Sequence, residues 1–284
     1  MKEIKTIGIL GAGTMGGNLA QLAATRGFEV LLYDIEARQR ENALSRTAAA
    51  LDKGISRGSV TGEEKEAVLG RIQGTASLEQ LEAADFVIEA VVEDLKVKQE
   101  LFSRLDGICR EDTVLCSNTS SMSITSIAAA TKRADRVAGM HFFNPPTVMK
   151  LVEVIRGYHT SEETAETVKQ TAAALGRTPA EVRRDTPGFV VNRCLFPFLL
   201  EAIHIYEEGI ATKEDIDTAV KLGLNFPMGP FELMDLAGLD TFIPITEYFF
   251  SEFKDPKWNA PQSIRAVIRA GRYGRKNGRG WYTY

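Results

Sequence analysis

The stretch IKTIGILGAGTMGGNLAQLAATRG, residues 4–27, constrains the fold more than any other part of the chain. A short apolar run ends at Gly11, and a segment with helical spacing follows Gly16. Gly11 permits a tight turn, Gly13 lets an anion approach the backbone, and Gly16 allows the helix to pack closely on the strand. The helix N-terminus then offers unpaired N–H groups to a pyrophosphate. Asp34 closes the next apolar run, EVLLYD (29–34), where a carboxylate accepts hydrogen bonds from an adenosine ribose and repels a 2′-phosphate. With Glu36 beside it, NAD is expected, and Arg38 leaves NADP as the alternative. The plainer reading is a glycine-rich turn followed by a strand-ending acid. The complete order of strand, loop, helix, strand and acid weighs against it.

Further runs of strand character, DFVIEAVV (85–92), TVLCSN (113–118), RVAGMHF (136–142) and KLVEVI (150–155), alternate with helical segments. Continuous apolar strands separated by helices predict a doubly wound, Rossmann-like α/β domain with a mostly parallel sheet covered on both faces. A polar insertion, 36–80, reads as two helices, the second capped by Thr61, and is expected to leave the sheet as a helical arm. After RRDTPGF (183–189) the strand pattern stops, and FVVNRCLFPFLLEAIHIYEEG, TKEDIDTAVKLG and PQSIRAVIRAG read as helices, with Pro197 expected to kink the first. The chain therefore divides into a sheet domain, 1–185, and an all-helical domain, 186–284, whose first helix is apolar nearly all round and suited to burial between elements or subunits.

With 34 Lys+Arg against 38 Asp+Glu there is no basic stripe, which argues against general nucleic-acid binding. Cys109, Cys116 and Cys194 are neither spaced as metal ligands nor suited to a disulfide framework. No metal site is expected. The N-terminal apolar run is too short for a signal sequence, and nowhere do 18 apolar residues run together. The expectation is a cytoplasmic protein that does not enter membranes.

Of three histidines, His141 in HFFNPP stands where a strand runs out at the ligand-binding edge of a doubly wound sheet. An imidazole near neutrality takes up an alcohol proton without a metal, and Glu153 in the following run is placed to hold its other nitrogen. The competing reading makes His141 a buried ring with a local hydrogen bond. Ser120 in SNTSS and Asn192 in PGFVVNR offer donors to a substrate oxygen, or else serve as helix caps. His159 reads as a surface group, and His204 as a packed ring.

The ordered motifs GAGTMG, VIEAVVEDLKVKQELF, SNTSSMSIT, GMHFFNPP, KLVEVI, PGFVVNR, PMGPFEL and GRKNGRGWY closely resemble those of the 3-hydroxyacyl-CoA dehydrogenase family, from the first strand to the last residues. The resemblance implies an NAD-linked exchange between an (S)-3-hydroxyacyl-CoA and the 3-ketoacyl-CoA, with four-carbon or other short chains expected. It makes His141 the acid/base and Glu153 its orienting partner, with Ser120 and Asn192 holding the reacting end of the acyl group. It carries cofactor roles to Gly11, Gly13, Gly16, Asp34, Glu93, Lys98, Asn118, Ser120, Asn144 and Lys276. It also implies a homodimer paired through the C-terminal helices. Combined with helix geometry, it places Lys53 and Arg57, four apart on the arm, as two cations for coenzyme A phosphates. The arm is poorer in lysine than the family pattern, so a solvated helix surface is the alternative there. Two other functions remain open from the sequence: a dehydrogenase of a free hydroxy acid or sugar acid, and a non-catalytic dinucleotide-binding protein.

Overall fold

Strand β1, Thr6–Leu10, turns through Gly11 (φ +92°) into helix α1, Thr14–Thr25, in a computed structural model that describes residues 3–284. The chain separates into two units between Thr186 and Pro187. In the first unit the remaining strands are β2 (Glu29–Tyr33), β3 (Ile72–Thr75), β4 (Phe86–Glu89), β5 (Val114–Ser117), β6 (Val137–Phe142), β7 (Leu151–Arg156) and β8 (Thr178–Val182). They form one sheet in the order β3-β2-β1-β4-β5-β6-β7-β8. The first six follow the usual dinucleotide-binding order, with the reversal of direction between β1 and β4, and such a switch point opens a crevice at the strand ends. All pairs are parallel except β6 and β7, which run antiparallel across the HFFNPPTVMK connection.

Helices α2 (Ala37–Ser56), α3 (Gly62–Gly70), α4 (Leu95–Ile108), α5 (Ile124–Ala128) and α6 (Glu162–Ala174) complete this unit. One face of the sheet is buried by Ile7, Ile9, Leu32, Phe86, Ile88, Met140, Val152 and Val154 and the other by Leu31, Val87, Leu115, Val137 and Ile155, which explains the unbroken apolar strands. Thr61 caps α3 in a reciprocal box with Glu64. The expected arm is corrected in one respect. Residues 36–80 do not leave the sheet, because Ile72–Thr75 return to it as the edge strand β3, while Ala43, Leu51 and Val68 of the two helices join the core. Neither β3 nor β8 was expected from the sequence. Both are short edge strands with half-exposed or polar residues, so neither carries an apolar run.

The second unit is helical: α7 (Val191–Glu207), α8 (Lys213–Leu224), α9 (Pro230–Ala237), α10 (Phe242–Phe253) and α11 (Gln262–Arg269). The helix α7 continues through Pro197. Phe196, Phe231, Phe249, Trp258 and Trp281 build its core. Two buried carboxylates secure the C-terminal tail. Asp217 accepts from the N–H groups of Phe231 and Glu232 and from the Tyr282 hydroxyl, and Asp235 accepts from the N–H groups of Trp281 and Tyr282. Gly280 is required there, since a Cβ would lie 1.9 Å from Asp235 Oδ1. Among the described residues, no helix is long and apolar enough to cross a membrane.

Candidate functional site

Two adjoining hollows open at the carboxyl ends of the central strands. The larger, of about 590 Å³, is lined by Gly11, Gly13, Asp34, Glu36, Val92 and Arg104 among others. The smaller, of about 280 Å³, is lined by Met15, Glu93, Lys98, Asn118, Ser120 and His141. Ala90 and Val91, the turn after β4, line both.

The larger hollow fits a dinucleotide. A Cβ on Gly16 would lie 1.8 Å from the Gly11 carbonyl oxygen, whereas one on Gly13 would meet nothing within 4 Å, which leaves the backbone there open to a bulky anion. No side chain caps α1 at Gly13, so its first N–H groups keep their anion-binding character. Asp34 lies one residue beyond β2. Its Oδ2 accepts from Ala12 N at 2.7 Å and its Oδ1 from Glu36 N at 3.0 Å, so the same carboxylate that suits a ribose also shapes the glycine loop. A carboxylate retains further lone pairs for ribose hydroxyls after accepting two such bonds.

His141, which lines the smaller hollow, is directly opposite Glu153 across β6 and β7. Opposite residues of an antiparallel pair share a face with Cβ atoms about 5 Å apart. His141 Nδ1 lies 2.8 Å from Glu153 Oε2, with both side chains buried. A carboxylate only accepts, so Nδ1 carries the hydrogen and Nε2 of the neutral ring holds the lone pair. Phe143 tilts against the imidazole with ring centroids 4.6 Å apart.

Lys98 and Glu93, which line the same hollow as the histidine, belong to a buried ionic cluster that the sequence reading reached only in part. Lys98, 1% exposed, lies 2.7 Å from Oε1 of Glu89, which is fully buried, and 3.1 Å from Oε2 of Glu93. Glu89 also accepts from Val91 N and the Ser117 hydroxyl. Glu93 accepts from the Thr119 hydroxyl and, at 3.0 Å, from Ser120 N. Burial acts to raise the Glu93 carboxyl, but the Lys98 charge and these hydrogen bonds outweigh it and hold Glu93 below the usual carboxylate range. With two acids and one lysine, the cluster carries one surplus negative charge when all three are ionised. Asn118 is fixed as well, its Oδ1 accepting from Phe142 N at 2.8 Å.

Glu89 and Ser117 were missed by sequence reading. The available signal was a glutamate inside an apolar strand, which needs a buried cation, and Lys98 is nine residues on. The helix-cap alternative for Ser120 is not what the structure shows, since Ser123 caps α5 by accepting from Ser126 N. Nor does Asn192 cap α7, because it lies inside the first turn, after Val190 at the cap. Asn144, beyond β6, is exposed, and its peptide bond to Pro145 is cis. Lys53 is in the last turn of α2 and Arg57 is its C-cap; both are exposed and line neither hollow. Lys276, in the second unit, pairs with Asp240 and lies over the Tyr273 ring. Among the cysteines, Cys109 and Cys116 are buried and Cys194 exposed, all three as free thiols, and burial pushes the Cys109 thiol up to about 11.

Comparison with known proteins bears on the whole chain. Residues 6–186 match the family model described as 3-hydroxyacyl-CoA dehydrogenase, NAD binding domain, and residues 188–284 match the C-terminal domain of the same family. A probable 3-hydroxybutyryl-CoA dehydrogenase of Bacillus subtilis is 48% identical over 99% of this chain and 98% of its own length. The 3-hydroxybutyryl-CoA dehydrogenase of Clostridioides difficile is 43% identical, over 98% of this chain and 99% of its own. Among solved structures, the (S)-3-hydroxybutyryl-CoA dehydrogenase of Ralstonia eutropha superposes with a TM-score of 0.96 at 45% identity, covering 99% of each chain.

Proposed function

The chain belongs to the 3-hydroxyacyl-CoA dehydrogenase family, and from that premise we propose that it interconverts (S)-3-hydroxybutyryl-CoA and acetoacetyl-CoA with NAD as the hydride carrier. The observation that carries this reading is the His141–Glu153 hydrogen bond in the wall of a hollow contiguous with the dinucleotide cleft. A nicotinamide cofactor held there supplies the acceptor or donor of the C3 hydride.

The protein's own residues handle the proton and the charge. In the oxidative direction Nε2 of His141 takes the C3 hydroxyl proton, and Glu153 stabilises the imidazolium that results. In the reductive direction the same nitrogen returns the proton. Ser120, at the rim of the hollow, donates to the substrate oxygen as negative charge builds on it, a contribution of about 2–4 kcal/mol for a donor of this type. Asn192 joins Ser120 in that role on the strength of the family pattern alone. The surplus negative charge of the Glu89–Lys98–Glu93 cluster favours a cationic, oxidised nicotinamide ring beside it. Asn118, Asn144 and Lys276 complete the cofactor set, and exposed Lys53 and Arg57 serve coenzyme A phosphates. Exposed Ile210, Leu222, Leu224 and Phe226 on the helical unit support pairing of two copies. The three free thiols support a reducing, cytoplasmic setting.

The direct test is NADH oxidation followed by absorbance with acetoacetyl-CoA and, separately, with acetoacetate. The thioester should be strongly preferred. Preference for the free acid would assign the fold to a hydroxy-acid enzyme instead. NAD selection rests on Asp34. Asp34→Asn keeps its size but loses its charge, and should raise KM for NADH about tenfold while narrowing the preference over NADPH, as expected for one charged hydrogen bond. An unchanged NADH/NADPH ratio would mean that another group makes the choice.

A further inference from the structure

The glycine loop is gripped from behind by a cation supplied by the segment expected to be an arm. Nη2 of Arg46, on α2, donates to the carbonyl oxygens of Ala12 at 3.1 Å and Gly13 at 3.2 Å. Its approach depends on Gly17 in α1, where a Cβ would lie 3.2 Å from the same Nη2 and 3.1 Å from Ala43 Cβ. Packing of α2 on the domain does not need this contact, since Ala43, Thr47 and Leu51 already bury that face.

The two carbonyls belong to particular peptide units. The cis bond among the described residues is Asn144–Pro145, so the bonds of the loop are trans. In a planar trans peptide the C=O and N–H point in opposite directions. The carbonyl of Ala12 therefore opposes the N–H of Gly13, and that of Gly13 opposes the N–H of Thr14. These N–H groups open α1, where no side chain caps the helix, and they point away from the guanidinium.

We propose that Arg46 is a positioning residue for the dinucleotide pyrophosphate. It does not touch the anion. It fixes the direction of two peptide units from their carbonyl ends, and its charge polarises them so that their N–H ends donate more strongly. The inference rests on the dinucleotide reading of the larger hollow, and the experiment separates the two.

Binding of NADH, ADP-ribose and adenosine to the full chain is measured by calorimetry for the wild type, Arg46→Met and Arg46→Gln, with Tm recorded alongside. Arg46→Met should raise Kd about fivefold for NADH and ADP-ribose, which carry the pyrophosphate, an effect of the size expected for the net worth of one hydrogen bond. Adenosine, which lacks phosphate, should bind as before. Arg46→Gln keeps a donor without the charge and should recover only part of the loss. The proposal is overturned if either variant binds NADH as the wild type does, or if adenosine weakens in parallel with NADH, which would mark Arg46 as a structural tie. If the wild type itself binds neither NADH nor ADP-ribose, the dinucleotide reading falls and takes this proposal with it.

Discussion

His141→Gln is expected to lower kcat by roughly a thousandfold, the middle of the range for loss of a general acid–base group, while Kd for NADH stays essentially unchanged. Glutamine occupies similar space and can still meet Glu153, but no nitrogen of an amide takes up and returns a proton near neutral pH. Stopped-flow single turnovers with acetoacetyl-CoA, alongside NADH fluorescence titration, separate the chemical step from cofactor binding. Glu153→Gln should produce a smaller loss, because the imidazole then loses the carboxylate 2.8 Å from Nδ1 that stabilises its charged form. Full turnover in His141→Gln would remove the histidine from the reaction and leave it a buried ring with a hydrogen bond.

Lys98→Met carries the largest expected cost in stability. Lys98 is 1% exposed and its partner Glu89 fully buried, so the substitution strands a carboxylate held by only a main-chain N–H and the Ser117 hydroxyl. Breaking one side of a buried pair costs about 3–5 kcal/mol, which in a chain of this size lowers Tm by roughly 10 °C. The double variant Glu89→Gln/Lys98→Met removes both charges and should regain most of that loss. A Tm for Lys98→Met within error of the wild type would show that the pair contributes nothing to folding.

The same substitution has a pH signature through Glu93. Its folded pKa lies below the usual value, with Lys98 the principal lowering charge. The ionised carboxylate therefore adds stability above the unfolded pKa of about 4.3, and that increment disappears as pH falls through the folded value. In Lys98→Met this acid-labile part should shrink, and an unaltered acid limb of the unfolding profile would contradict the cause assigned here.

What was legible in the sequence was local. The glycine loop, Asp34, the Thr61 cap and the buried strands each announce themselves within a few residues, because backbone conformation, capping and apolar periodicity are short-range constraints. The β3 and β8 edges were not legible, since a short strand with one wet side needs few apolar residues and is held by main-chain bonds to its neighbour. Nor was Glu89, whose meaning lies in a lysine on the next helix.

From the amino-acid order alone follow the doubly wound sheet, the dinucleotide loop, and His141 and Glu153 as residues worth pairing. Their contact follows from antiparallel register, which sets residue 141 opposite 153 and which no periodicity in either strand can specify. Burial of Lys98 between two carboxylates, and the turning of Arg46 onto the back of the glycine loop, were likewise decided only by packing. Such placements depend on how separate elements meet in space, and a charged side chain states its partner only once that meeting has removed the water around it.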